Sequence, residues 1–195
     1  PQSISNLNSL NLSFTPNLTS VTLISQTLQS LSVHMGPPLT TIDTSNLPNL
    51  KSFYNSQISN PSGIRTLDFS NNSEMECISS HSSNLRSINV SGCSKLNQLA
   101  LHNSSDLNGV LDISDIKSTA DVKTYGTGIT CLQVNAEQMN RKDLLKLSNS
   151  GGCGTTTGRL STAFATIALD CNNPLTPFTY NFDVIAPSSS NYQLG

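Results

Sequence analysis

The sequence predicts a mainly β solenoid: a coil with two parallel sheets facing each other across a thin aliphatic core, capped C-terminally by a helix and a β-hairpin. Three observations carry this. A phrase of the form apolar-x-x-apolar-x-residue, its last place usually apolar, recurs every 10 or 11 residues with one longer step, and self-similarity at a fixed period marks a stacked solenoid. Within each phrase, places four and six face one way and places three, five and seven the other, the two-residue period of a strand. A half-unit this short holds one strand and one turn but no helix.

The ladder runs Leu7/Leu10/Leu12, Leu18/Val21/Leu23, Leu28/Leu31/Val33, Leu39/Ile42/Thr44, Leu50/Phe53/Asn55, Ile64/Leu67/Phe69, Met75/Ile78/Ser80, Leu85/Ile88/Val90 and Leu96/Leu99/Leu101. A slipped copy follows at Leu107 with Leu111/Ile113, and a late one at Ile129/Leu132/Val134. Through Leu107 the first residues lie 11, 10, 11, 11, 14, 11, 10, 11 and 11 apart. The 14 reflects an insertion at SNPSG (59–63), whose Pro and Gly mark an exposed turn. Two half-units make one coil, so residues 1–134 read as the solenoid and alternate half-units as alternate sheets. Polar residues at the inward places Thr44, Asn55 and Ser80 predict a thin or irregular core there.

Phrases such as IRTLDFSNNS and LRSINVSGCS follow the form Leu-x-x-Leu-x-Leu-x-x-Asn/Cys. This resembles the short leucine-rich repeats with alternating 10- and 11-residue motifs, known from bacterial surface proteins and some phage structural proteins. The resemblance covers residues 7–113, with 129–134 as a weaker extension. It implies a right-handed coil and places Cys93 facing the inside of a turn.

Residues 135–195 read as the cap. Asn135 and Gln138 have the spacing of a capping box, which predicts a helix over 135–147 with Met139, Leu144 and Leu147 on its apolar face and Gly151 and Gly152 ending it. Two strands, about 159–171 and 178–186, follow around a CNNPLTP turn. An open solenoid end exposes core and strand edges, which such a cap covers.

Charged residues make up 11% of the chain and the net charge is −2. Without a Lys/Arg cluster there is no electrostatic footprint for nucleic acid. No apolar run approaches the roughly 20 residues of a membrane span. The start, PQSISNLNSL, has neither the basic n-region nor the apolar h-region of a secretion signal, and without an initiator Met it reads as a processed or cut piece. Five cysteines without a CxxC suggest separate structural roles rather than a disulfide framework. HExxH, GxSxG and P-loop signatures are missing, and GGCGTTTG (151–158) lacks the lysine a phosphate cradle needs. The expectation is therefore not an enzyme.

Sorting half-units by sheet brings candidate sites together. In one sheet, place seven holds Ser13, His34, Ser56, His81 and His102, so all three histidines share a column. His81 and His102 then lie on adjacent coils, within reach of a shared divalent metal, the one cofactor considered. Tyr54, at place five among Ser32, Ser79 and Ala100, offers a ring for contact with a sugar or a protein. In the other sheet, place five holds Thr22, Asp43, Asp68, Asn89 and Asp112, and place seven Ser45, Ser70, Ser91 and Ser114. Stacked carboxylates favour either a bound cation at Asp43, Asp68 and Asp112 or compensating hydroxyl bonds, and the serine column favours the latter. The expected function is non-enzymatic binding or adhesion, extracellular or at a cell surface, with a protein or cell-surface glycan as partner. The alternative is a phage virion component, such as a tail-fibre, baseplate or receptor-binding protein, which would form homo-oligomers.

Overall fold

The computed structural model describes residues 7–144 apart from 16, 35–37, 58–62, 83, 139–140 and 142. Ten strands form: β1 (Ser9–Asn11), β2 (Ser30–His34), β3 (Ser52–Gln57), β4 (Thr66–Asp68), β5 (Cys77–Ser82), β6 (Ser87–Asn89), β7 (Gln98–His102), β8 (Asn108–Asp112), β9 (Asp121–Lys123) and β10 (Gly128–Gln133). All pairings are parallel and join strands one coil apart. The chain is a β-solenoid of stacked coils.

The sheets are parallel, as expected, but the two faces differ in extent. Alternate half-units build one continuous six-stranded sheet in the order β1-β2-β3-β5-β7-β9. The intervening half-units give only the pairs β4–β6 and β8–β10, with an isolated bridge between Thr41 and Thr66. In these half-units an Asp or Asn at place five folds its side chain onto the amide two residues on, ending the strand. The Oδ1 atoms of Asp43, Asp68, Asn89 and Asp112 accept from the amides of Ser45, Ser70, Ser91 and Ser114 at 2.9, 2.9, 3.0 and 2.9 Å. This local bond competes with the ladder.

Inward places fill the core as the phrase requires. Leu31, Phe53, Ile78, Leu99 and Val122 form one buried column, and Leu67 and Phe69 approach from the opposite side. Phe53 and Phe69 meet with ring centroids 5.2 Å apart, joining the two faces.

β9 belongs to a half-unit that the repeated phrase does not mark. Val122 pairs with Leu99, and Ala120, Val122 and Thr124 are buried. Thr119 stands where the phrase begins with an apolar residue, so the pattern breaks there. The distance from Leu107 to Ile129 is the surviving clue, since it spans two half-units.

Polar residues at inward places are buried and bonded rather than loosely packed. Thr44 Oγ1 donates to Asp68 O at 2.8 Å and lies 2.8 Å from Asn72 Oδ1. Asn55 Nδ2 donates to Ser80 Oγ at 3.1 Å, while Asn55 Oδ1 has no partner.

The turns that follow the shorter strands repeat one corner. The amides of Leu47, Asn72, Cys93 and Ile116 donate to the carbonyls of Thr44, Phe69, Val90 and Ile113. Asn72 Nδ2 reaches back one coil to Thr44 O and Leu47 O at 3.0 and 2.8 Å. The Cys93 thiol faces Phe69 O at 3.4 Å, inside the turn as expected. Burial, with Asp115 and Asp68 nearby, pushes the pKa of that thiol up to about 12.

Gln138 occupies the next such corner. Its Oε1 accepts from the Asn135 amide and its amide donates to Asn135 Oδ1, the reciprocal bonds of a capping box. Its Nε2 donates to Ile113 O and Ile116 O, the same reach back to the preceding corner that Asn72 makes. At 135–138 the box therefore closes a coil turn, and the described helical backbone of the expected 135–147 helix is 3-10 at Gln138 and α-helical at Asp143–Leu144. Both expected cap strands lie outside the described residues. Cys131 is disulfide-bonded, whereas Cys77 and Cys93 are free thiols.

Candidate functional site: the outer face of the six-stranded sheet

The outer face of the continuous sheet displays three columns set by strand register. The first holds Ser9, Ser30, Ser52, Cys77, Gln98 and Asp121; the second Asn11, Ser32, Tyr54, Ser79, Ala100 and Lys123. The third holds His34, Ser56, His81 and His102. The register thus gathers the three histidines and sets Tyr54 among Ser32, Ser79 and Ala100. Tyr54 is 39% exposed. A hydrogen bond with the Cys77 thiol and that group's charge raise its phenol above the usual range.

His81 and His102 meet edge to face, with ring centroids 4.4 Å apart. Burial, His81 and Lys123 together hold His102 below the ordinary imidazole range. The His102 ring is thus favoured in its neutral form, which can both donate and accept a hydrogen bond. Among the described residues no third His, Cys, Asp or Glu joins the pair to complete a metal site. Asp43, Asp68 and Asp112 stand on the other face of the coil, with Asn89 between Asp68 and Asp112 in the column. Asn89 makes the same turn bond there without a charge and also donates from Nδ2 to Asp68 Oδ1 at 3.1 Å.

Compared with known protein families, curated proteins and solved structures, the chain has no match. The geometry alone therefore speaks for the site.

The same column continues past both ends of the histidine series. The Asn103 amide donates to Tyr125 O at 3.0 Å, the bond that the Leu12 amide makes to Ser32 O beside the Asn11–Ser32 pair. Tyr125 therefore flanks His102, and it is 75% exposed. At the other end Ser13 flanks His34, and Phe14 follows, 74% exposed.

Phe14 sits at an unusual place for its residue type. One residue beyond the histidine column the coil turns through left-handed backbone: Phe14 has φ 56°, Asn103 φ 56° and Gly126 φ 71°. Asn and Gly suit that conformation, but for Phe it costs about 1–2 kcal/mol. Asn11, Ser13, Phe14, His34 and Ser56 line an open cleft of about 590 Å³. Neither Phe14 nor Tyr125 stands out in the sequence. The signal that could find Phe14 is an aromatic at the turn place that other coils fill with Asn103 or Gly126.

Proposed function

We propose that the protein is a non-enzymatic recognition module, of the short leucine-rich-repeat type, that binds a protein or a cell-surface glycan through the outer face of its six-stranded sheet. One observation carries the reading: this face is continuous, and it presents Tyr54, the histidine column and the exposed rings of Phe14 and Tyr125 against a serine-rich ground. Exposed aromatic rings on a flat, charge-poor surface act as contact anchors. The opposite face has its place-five polar groups committed to its own turns. The repeat type is supported by Asn72 and Cys93, which face carbonyls inside successive turns. Low charge and the Cys131 disulfide support placement outside the cell or at its surface, since disulfides persist in oxidising compartments.

The test is binding of the labelled protein to arrays of glycans and extracellular proteins. Y54A/H81A/H102A is expected to abolish the signal, while R86A/D106A, on the far side of the coil, keeps it. The reverse pattern would overturn the reading.

A further inference from the structure

We propose that the cleft at the Phe14 end of the outer face is a subsite for a neutral sugar ring, with Phe14 as its stacking platform. The proposal rests on the outer face being the recognition surface and narrows its ligand to a neutral glycan. Three observations converge on it: the backbone of Phe14, the exposure of its ring and the chemistry of the cleft walls.

Phe14 holds an unfavourable left-handed conformation at a coil position where Asn103 and Gly126 serve without strain. Such an outlier persists where the ring does something the fold does not need. The ring is also 74% exposed, so core packing does not account for it. By contrast, Gln57 and Ser82, at the same coil position, are buried.

The cleft walls match the chemistry of a sugar. Asn11, Ser13, His34 and Ser56 supply amide, hydroxyl and imidazole groups, which exchange hydrogen bonds with hydroxyls as donor or acceptor. Asn11 Oδ1 accepts from the Ser13 amide at 2.9 Å and from its hydroxyl, which fixes the carboxamide. Among the described residues no Asp, Glu, Lys or Arg lines the cleft, so an anionic sugar would lose water without gaining a fixed counter-charge from them. The apolar face of a pyranose ring lies naturally on an aromatic face, and the volume falls in the range of small-molecule sites, about 300–1,000 Å³.

The experiment is retention of the protein on an array of neutral and of sialylated or sulfated glycans, with thermal denaturation of each variant alongside. The parent is expected to bind at least one neutral structure, F14Y to bind it comparably, and F14A to bind at least roughly tenfold more weakly. F14N is the decisive variant: it should lose binding while its Tm rises, because Asn relieves the backbone. Retention on anionic glycans only, unchanged binding by F14N, or a lowered Tm for F14N would each overturn the subsite. If F14N binds and Y54A does not, the subsite fails while the outer-face reading stands. An array blank for neutral glycans, beside a positive protein array, likewise removes the sugar and keeps the face.

Discussion

Asn55 shows how much a single inward place can cost. Its Nδ2 is bonded to Ser80, but its Oδ1 lies buried without a partner, and an unmatched buried polar group costs about 1–3 kcal/mol. Val33 and Leu101 flank this pair in the same column. Replacing both members together, N55V/S80V, should raise stability by about 1–2 kcal/mol, read as the denaturant midpoint at unchanged m-value. Asn72 is the opposite case. Its carboxamide makes three buried bonds, to Thr44 Oγ1, Thr44 O and Leu47 O. N72A removes these bonds, although Thr44 Oγ1, Thr44 O and Leu47 O each keep one other, to Asp68 O, the Leu47 amide and the Leu50 amide, and should cost about 1–3 kcal/mol in the same measurement. The repeated phrase marks both corners, since IRTLDFSNNS puts Asn72 where LRSINVSGCS puts Cys93, but the number of bonds that Asn72 makes appears only once its turn is placed. His102 adds a pH dependence. Its imidazole titrates lower in the folded state than in the unfolded chain, so its contribution is complete above the ordinary value near 6.5 and is lost as pH falls through the lowered one. NMR titration should show His102 titrating closer to 6.5 in H81N, since a neighbouring cation has been removed.

The strand elements divide into those that recognition can use and those absorbed by the coil itself. Place five of the shorter strands reads in the sequence as a carboxylate stack, and its role becomes clear only once the Ser amides are located. Because Asn89 makes the same bond without charge, D68N should be tolerated. D68A, which removes the acceptor for Ser70 and Asn89, should cost about 1–2 kcal/mol. Adding calcium should leave the Tm of the parent unchanged; a rise that D68N abolishes would restore the cation reading. The alternation of strand and turn is legible in the six-stranded sheet from β1 to β7, because the two-residue period survives even where an inward residue is polar. The Ala120/Val122/Thr124 half-unit is not, because its opening place is Thr119. The capping box is legible as a bond pattern but ambiguous as an element. Asn135 and Gln138 are three apart, which is equally the spacing of the repeated coil corner, and tertiary partners at Ile113 O and Ile116 O decide between them.

For the molecule as a whole, each strand pairs only with strands one coil away, so stability should fall toward the end where burial is thinnest. Leu7, Leu10, Leu18, Val21 and Leu23 are only partly buried, and Ile24 is 70% exposed. Amide hydrogen exchange should accordingly be fastest in β1 and slowest in β3, β5 and β7. Ion pairs between coils, such as Glu74–Lys95 and Arg86–Asp106, are exposed and add little to this gradient. Alkylation without reductant should modify Cys77 in the native state and Cys93 only on unfolding, with Cys131 reacting only after reduction. Light scattering separates the two roles open to the solenoid: a monomer fits a recognition module, and a trimer fits a virion component.

Ser52 pairs with Cys77 across 25 residues, whereas Cys77 pairs with Gln98 across 21. Both steps nevertheless advance the sheet by one strand. Axial length therefore counts coils and not residues. A tag or foreign loop placed between Gln57 and Ile64 should leave His34, Ser56, His81 and His102 at their original spacing.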